Sequence, residues 1–342
     1  DAGMLHELQA KDRRIFEYWG HSMSYLPMVD YRFYLPRMQS FYDPYHKWEK
    51  RRLEKFGHLM EPVLKRIPQE GAMSTKDFVT EKERKGGTWW DWRPVKVALE
   101  LLFWRGDLMV TERRKFQKVY DLTERVLPEG VDARMPDEYE LGQFLVRRAL
   151  SSYGIAKEKD IREHIRAASR EVVARSLQDL EDEGEVIRVA INEKYDGKYF
   201  ALTKKIAGAN TTKDNIQFYL LSPFDNFTIQ RERLKDLFNF DYALECYLKP
   251  EKRKYGYFML PILWGERIVG RLDPKADRKE KKFIVRKLMF EEKFTPDGNF
   301  LGTLDEKIMA FARFNDCEQV QVEQVYPKKF ESVFVKAMNI MN

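Results

Sequence analysis

The stretch Lys96-Val-Ala-Leu-Glu-Leu-Leu-Phe-Trp-Arg-Gly106-Asp-Leu-Met-Val110, returning through Val119-Tyr-Asp-Leu122, reads as a helix, a glycine and a hairpin of β-branched and aromatic residues. The same pattern recurs 78 positions later as Ser176-Leu-Gln-Asp-Leu-Glu-Asp-Glu-Gly184-Glu-Val-Ile-Arg-Val189, returning through Tyr199-Phe-Ala-Leu202. A helix closed by glycine and followed by a hairpin is the pattern of a winged helix-turn-helix. In that motif the helix enters a groove of DNA and the hairpin tip lies on the neighbouring backbone. A tandem pair therefore points to nucleic acid before any catalytic residue is considered.

Working outward, Pro94 opens the first helix and Trp89, Trp90 and Trp92 precede it in a Gly-containing loop, Arg84-Lys-Gly-Gly-Thr88. From Pro44 to Ile67, Trp48, Leu53, Phe56, Leu59, Val63 and Ile67 recur at helical spacing, which predicts one long amphipathic helix. Residues 1 to 50 mix short helical pieces with aromatics and are punctuated by Pro27 and Pro36. The second copy predicts helices at Tyr139–Tyr153, near Asp160–Ile165 and near Arg170–Glu183, with a hairpin turning at Asp196-Gly197. Beyond a polar linker near Ala207–Lys213 the pattern changes to strands at Ile216–Asp225, Tyr242–Leu248, Tyr255–Trp264, Arg267–Asp273 and Lys282–Leu288. A short helix is expected at Arg231–Phe238 and an amphipathic one at Leu301–Phe314. Turns are expected at Gly265 and across Pro274–Glu280.

A chain of 342 residues with 43% hydrophobic and 14% aromatic content can bury two or three cores. No window approaches the roughly 18 to 20 apolar residues of a membrane span, and no signal peptide opens the chain, so a cytoplasmic location is expected. Cys246 and Cys317 lack partners in any pairing or zinc motif. The net charge of +6 is modest, but thirteen Lys or Arg face five Asp or Glu between Lys249 and Lys287, a local net of +8. Such a patch suits phosphates, and it equally suits a solubilised Lys-rich sheet.

Arg113, Arg114 and Lys115 fall at the first hairpin turn, where phosphate contacts belong. The second tip, Asn192–Lys198, is charge-mixed and reads as structural. The three tryptophans either stack on bases or pack under the following helix. His6, His21, His46, His58 and His164 form no metal-ligand pattern, and neither a phosphate loop nor a nucleophile elbow occurs. Glu17-Tyr-Trp-Gly-His21 puts a carboxylate and an imidazole among aromatics, where a core histidine bonded to backbone is the alternative. Gln319 and Gln321 share one side of a terminal strand, where solvent-facing alternation explains them.

Phe16-Glu-Tyr-Trp-x-His21, Trp89-Trp-x-Trp-x-Pro-x-Lys96 and Arg113-Arg-x-Phe-Gln-x-Val-Tyr-Asp-Leu122 with Glu124-Arg-Val-x-Pro128 occur in that order. Leu221-Ser-Pro-Phe-Asp225, Arg253-x-Tyr-Gly-Tyr-Phe-x-Leu-Pro261 and Val269-Gly-Arg-x-Asp273-x-Lys275-x-x-Arg278 follow. Together these motifs resemble the YcaQ-like winged-helix DNA glycosylases across nearly the whole chain. The resemblance implies three tandem winged-helix units plus a small β-barrel around DNA, and excision of alkylated bases, interstrand crosslinks included. It implies damaged double-stranded DNA as partner, no cofactor, no metal, a monomer and a nucleoid-associated cytoplasmic location.

In the family the reacting water is assigned to a Gln-apolar-Asp or Gln-apolar-Gln strand preceding the Tyr-Trp-x-His segment. That strand would lie before Asp1, so the chain reads as an N-terminally truncated member expected to bind DNA without excising bases. Glu17 and His21 become cleft candidates. Lys85, Trp89, Lys96, Arg113, Arg114, Lys115, Arg253, Tyr255, Arg271, Lys275 and Arg278 become DNA-binding candidates. Asp225 and Asp273 read equally as structural.

The expected fold is α+β: tandem winged-helix units, a small antiparallel β-barrel or sheet, and a C-terminal helix. Expected boundaries are 1–50 for the remnant of a first winged unit, 51–130 and 137–205 for two further units, and 214–342 for the barrel-like domain. The competing class is a non-enzymatic winged-helix DNA-binding protein such as a transcription regulator, and a third is a protein-interaction scaffold.

Overall fold

A computed structural model describes residues 2–78, 93–191, 198–208, 217–332 and 334. The chain divides into two compact units, Asp1–Ile206 and Ala207–Asn342. No described helix is long and apolar enough to cross a membrane.

After a short helical segment over Ala2–His6 and Glu7–Lys11, the first unit forms a hairpin, β1 (Ile15–Trp19) and β2 (Met23–Pro27), in the register Phe16↔Leu26 and Tyr18↔Ser24. Strand alternation would send Phe16 and Tyr18 to one face, and both are fully buried. Their rings meet Tyr34 edge-on at 5.5 and 6.1 Å, a favoured aromatic geometry. The single long helix expected after Pro44 is instead two, Lys47–Phe56 and Met60–Glu70, broken by a 3-10 turn at Gly57–Leu59. Only the second buries residues, Met60, Val63 and Ile67. Periodicity carried through Gly57, whose high helical cost favours the break.

Both copies of the helix-glycine-hairpin pattern are present, and they match bond for bond. Helix Arg93–Arg105 leads into Gly106 and the strands β4 (Leu108–Arg114) and β5 (Gln117–Leu122), with β3 (Met73–Ser74) on the far side of β5. Helix Arg170–Asp182 leads through Glu183 into Gly184, and β7 (Val186–Val189) and β8 (Tyr199–Leu202) follow. Here β6 (Ile155–Ala156) takes the place of β3.

Gly106 and Gly184 hold φ of +79° and +73°, the left-handed conformation that lets a helix end in an antiparallel strand. In each copy the residue after the glycine donates to a carbonyl five residues back, Asp107 to Leu102 at 3.0 Å and Glu185 to Leu180 at 2.9 Å. A threonine after the hairpin then closes the loop: Thr123 Oγ1 donates to Gly106 O at 2.6 Å, and Thr203 Oγ1 to Gly184 O at 2.7 Å. The expected turn at Asp196-Gly197 lies outside the described residues.

Helices Glu138–Tyr153 and Glu158–His164 complete the second copy near their expected positions. Asp137 and Glu140 form a capping box that starts the longer one.

The second unit is a sheet ordered β13-β12-β11-β10-β9, with β14 also on β12. Its strands are β9 (Phe218–Leu220), β10 (Leu260–Trp264), β11 (Arg267–Asp277), β12 (Lys282–Phe290), β13 (Gln319–Val322) and β14 (Val325–Tyr326). An antiparallel sheet was expected, but β13 and β14 pair with β12 in parallel. Helix Gly298–Phe314 supplies the crossover that parallel pairing needs. It buries Phe300, Leu304, Ile308 and Ala312, one residue per turn, in the core shared with Leu272, Phe283, Val285 and Leu288.

The strand expected at Tyr242–Leu248 is absent, and the one expected at Tyr255–Trp264 is shortened to β10. Glu245, inside Tyr242–Leu248, accepts the backbone N–H groups of Lys254, Tyr255 and Gly256 at 2.8, 2.8 and 3.1 Å. Asp273 accepts those of Tyr257 and Phe258 at 2.7 and 3.1 Å. Donors that a ladder would need are spent on two buried carboxylates, so pairing begins only at Leu260. Pro274, expected in a turn, sits in β11 at a bulge, where a missing N–H is tolerated.

Candidate nucleic-acid interface

In the first unit Glu17 is the hub. Strand β1 points it at the β4–β5 hairpin, where it is 2% exposed. Arg113 grips both carboxylate oxygens at 2.7 Å, Lys118 Nζ lies 3.4 Å away, and Gln9 Nε2 reaches Oε1 at 3.5 Å and Val110 O at 3.3 Å. Burial alone would raise the Glu17 carboxyl, but the Arg113 hydrogen bonds and the charges of Lys118 and Arg113 together hold it below its ordinary range. Burial pushes the Lys118 ammonium down, and Glu17 opposes that shift. The carboxylate is fixed in its ionised form by a two-pronged partner.

Beside this cluster opens a pocket of 780 Å³ walled by Trp19, Trp48, Phe103, Trp104, Phe116 and Tyr120, with Arg52, Lys96, Arg113 and Lys118 among them. The Arg52 guanidinium lies 4.6 Å from the Trp48 ring and 4.9 Å from Trp104, and pairs with Glu100. Aromatic walls can take a flat ring by stacking, and the cations among them can take an adjoining phosphate. Trp48, which helical spacing placed in a core, is 57% exposed at the rim.

Of the candidates in this unit, Lys96 is exposed at the pocket, 3.8 Å from Glu100. Arg114 and Lys115 project from the hairpin end, Arg114 with only a surface pair to Glu112 at 2.9 Å. Arg113 is corrected: its guanidinium is committed to Glu17 and braces the hairpin from within. Glu17 is likewise corrected from an open-cleft group to a buried anchor, because its neighbours leave neither oxygen free. Lys85 and Trp89 lie outside the described residues.

His21 sits at the β1–β2 turn and its Nδ1 contacts the Glu163 carbonyl at 2.9 Å, the backbone-bonded alternative. It adds charge beside His164, whose imidazole burial pushes down to about 4, with His21 and Arg148 acting in the same direction. The residues that sequence reasoning missed are Gln9, Arg52, Glu100 and Lys118. Only the helical spacing of Lys96 and Glu100 was available as a signal.

In the second unit Arg253, Lys275 and Arg278 remain surface cations. Arg253 stacks 4.9 Å from the Tyr257 ring, Arg278 donates to Asn315 Oδ1 at 2.9 Å, and Lys275 is exposed on β11. Arg271 is corrected: it is 3% exposed, lying between Phe240 at 4.2 Å and Tyr255 at 3.9 Å, and it donates to Asp241 O and Glu291 Oε1. A planar cation stacks well between rings, so Arg271 is buried in a stretch of β11 covered on both faces, with its charge satisfied. Tyr255 is its lower wall. Asp273 is structural, through the backbone bonds given above. Arg253 and Asp273 also border a pocket of 290 Å³ with Arg286 and Lys287.

A family model described as DNA glycosylase AlkZ-like matches residues 1–314. Among solved structures, the chain is similar to Streptomyces sahachiroi DNA glycosylase AlkZ, with a TM-score of 0.61 and 16% identity. The likeness covers 94% of this chain and 84% of that one. At that identity the likeness speaks for a shared fold of mixed helix and sheet.

Proposed function

Since the chain belongs to the AlkZ-like DNA glycosylase family, we propose that it acts on damaged duplex DNA, removing N7-alkylated purines and the linked bases of interstrand crosslinks by water attack. The family match over residues 1–314 carries this reading. The aromatic pocket beside exposed Lys96, Arg114 and Lys115 supports it, because base stacking and phosphate contact are the two chemistries such an enzyme requires.

The reaction suits a chain without a metal-ligand motif. An N7-alkylated purine is already cationic, so the C1′–N9 bond breaks with its electron pair moving into the ring, which leaves neutral. The sugar passes through an oxocarbenium-like state, water oxygen bonds to C1′, and a base takes the water's proton. Neither Glu17 nor His21 is that base: the first is an ionised anchor held by Arg113, and the second contacts a backbone carbonyl. Glu17 is a positioning residue that sets the hairpin against β1. We read the two helix-glycine-hairpin copies as winged units within 51–130 and 137–205, with 1–50 contributing to a first unit and 214–342 as the barrel-like domain. Arg253, Lys275 and Arg278 add phosphate contacts from the second unit. The protein works as a monomer and without a cofactor.

The test uses the protein as encoded by its complete reading frame, on duplex DNA carrying N7-methylguanine. Free N7-methylguanine should appear in solution, and DNA affinity should fall steeply as salt rises. Salt-sensitive binding with no base released overturns the enzymatic reading, and absence of duplex binding at low salt overturns both halves.

A further inference from the structure

Phe116 is the most exposed of the large hydrophobic side chains described, at 93%. It stands at the extreme end of the β4–β5 hairpin, in the two-residue turn Lys115-Phe116 that joins the paired Arg114 and Gln117. Lys115 holds φ of +60°, a conformation that glycine adopts without cost and lysine does not. This turn thus accepts two penalties that a turn such as Asn-Gly would avoid, a side chain at positive φ and a phenyl ring in water.

The mount beneath the ring is rigid. Arg113 Nη1 donates to the Phe116 carbonyl at 3.1 Å while the same guanidinium is held by both oxygens of buried Glu17. A bulge between Val110 and Glu112 adds twist along the hairpin. The tip is therefore tied to the core of the unit through one continuous hydrogen-bonded path, Phe116 O to Arg113 to Glu17. An apolar group on a stiff, narrow projection can enter a gap without reorganising the protein.

Charge decides what the gap belongs to. Arg114 and Lys115 immediately precede the ring at the hairpin end, and both are exposed. An apolar protein groove would gain nothing from two cations on its rim, whereas a base step is bordered on both strands by phosphates. Apolar wedges between base pairs, with basic residues on the adjoining backbone, are a general way for proteins to open a stack. Phe116 also borders the 780 Å³ pocket, so a step opened by the ring would lie at its mouth.

We propose that Phe116 is a wedge that inserts into the base stack of duplex DNA, with Arg114 and Lys115 holding the flanking phosphates. This rests on the DNA-directed reading above and adds to it the residue that deforms the duplex. The ring's place is taken by unstacking rather than by hydrogen bonds, so the contact has little sequence preference and favours steps already weakened by a lesion.

The test compares the whole protein with Phe116→Ala and Phe116→Trp on a duplex carrying 2-aminopurine, whose fluorescence rises when it is unstacked. Wild type should raise the fluorescence on binding. Phe116→Ala should bind about tenfold more weakly and lose the rise, while Phe116→Trp should keep both. The side chain is solvent-exposed, so each variant should retain the wild-type circular dichroism and melting temperature. Wild type that binds DNA, with Phe116→Ala equal to it in affinity and fluorescence, overturns the wedge and leaves the glycosylase reading intact. Wild type that fails to bind duplex at low salt overturns that reading itself. Should Phe116→Ala instead dissociate an oligomer of DNA-free protein, the ring serves a protein contact and the wedge is again overturned.

Discussion

The two helix-glycine-hairpin copies share a backbone down to the threonine that closes each loop, yet their hairpins are held in place by different means. In the first, Arg113 and Lys118 reach across to a buried carboxylate on β1, 96 and 101 residues earlier in the chain. In the second, Arg188, about half exposed, turns back to Glu181 on the adjacent helix at 2.7 Å and stacks on Phe200 of its own sheet. One hairpin is pinned by a long-range pair on a fully buried carboxylate and the other by a local, partly exposed one. Duplication preserved the loop geometry, while the tertiary neighbour made one copy a rigid projection.

Breaking the pin should give the largest effect. Glu17→Ala leaves Arg113 and Lys118 facing an empty buried site, and about 3 kcal/mol of unfolding free energy should be lost, measured by urea denaturation. A loss under about 1 kcal/mol would show that the hairpin does not depend on the pin.

Acid separates the copies next. His164, in the second copy, has a folded-state pKa of about 4 against 6.5 unfolded. Below pH 6.5 the unfolded chain takes up a proton that the folded one refuses, so stability falls as pH drops and stops falling near pH 4. The total is about 3 kcal/mol, and His164→Phe should flatten that limb. Glu17 acts lower. Its carboxyl is depressed in the folded state, so its contribution is complete above pH 4.5 and disappears as pH falls through the lowered value. Urea titrations across pH 3 to 7 would resolve both limbs.

The glycines offer a sharper contrast. Both need positive φ, but a Cβ on Gly106 would also meet Met38 Sδ at 2.7 Å, whereas one on Gly184 meets nothing within 4 Å. Gly184→Ala should cost about 1 kcal/mol and Gly106→Ala about 2 to 3, in denaturation midpoints. Equal costs would mean that Met38 moves aside freely. Smallest of all, Arg188→Ala should change stability by about 1 kcal/mol or less, because the guanidinium is half exposed and its ion pair is local.

Much of this was legible in the chain. The repeat, its glycine stops and the helices at Arg93–Arg105, Glu138–Tyr153, Arg170–Asp182, Arg231–Phe238 and Gly298–Phe314 follow from period and punctuation, which are local properties. Motifs quoted from Phe16 to Arg278 pointed to the family that the comparison supports. Charge counting found the basic stretch of the second unit without telling Arg271, stacked between two rings, from Lys275 on the surface. It also could not tell Arg113, turned inward onto Glu17, from Arg114 beside it.

By itself, then, the sequence determined where most helices lie, though not the break at Gly57, that the pattern repeats, and which family the motifs resemble, because caps, glycines and apolar periods act over a few residues. Only the tertiary structure decided which cations are free and which are spent. It also decided that two buried carboxylates, Glu245 and Asp273, would take the donors at the start of one expected strand, and that Phe116 would stand alone at the end of a braced hairpin. These outcomes depend on partners brought together from distant positions, and a charge or an N–H group carries no mark of which partner will reach it first.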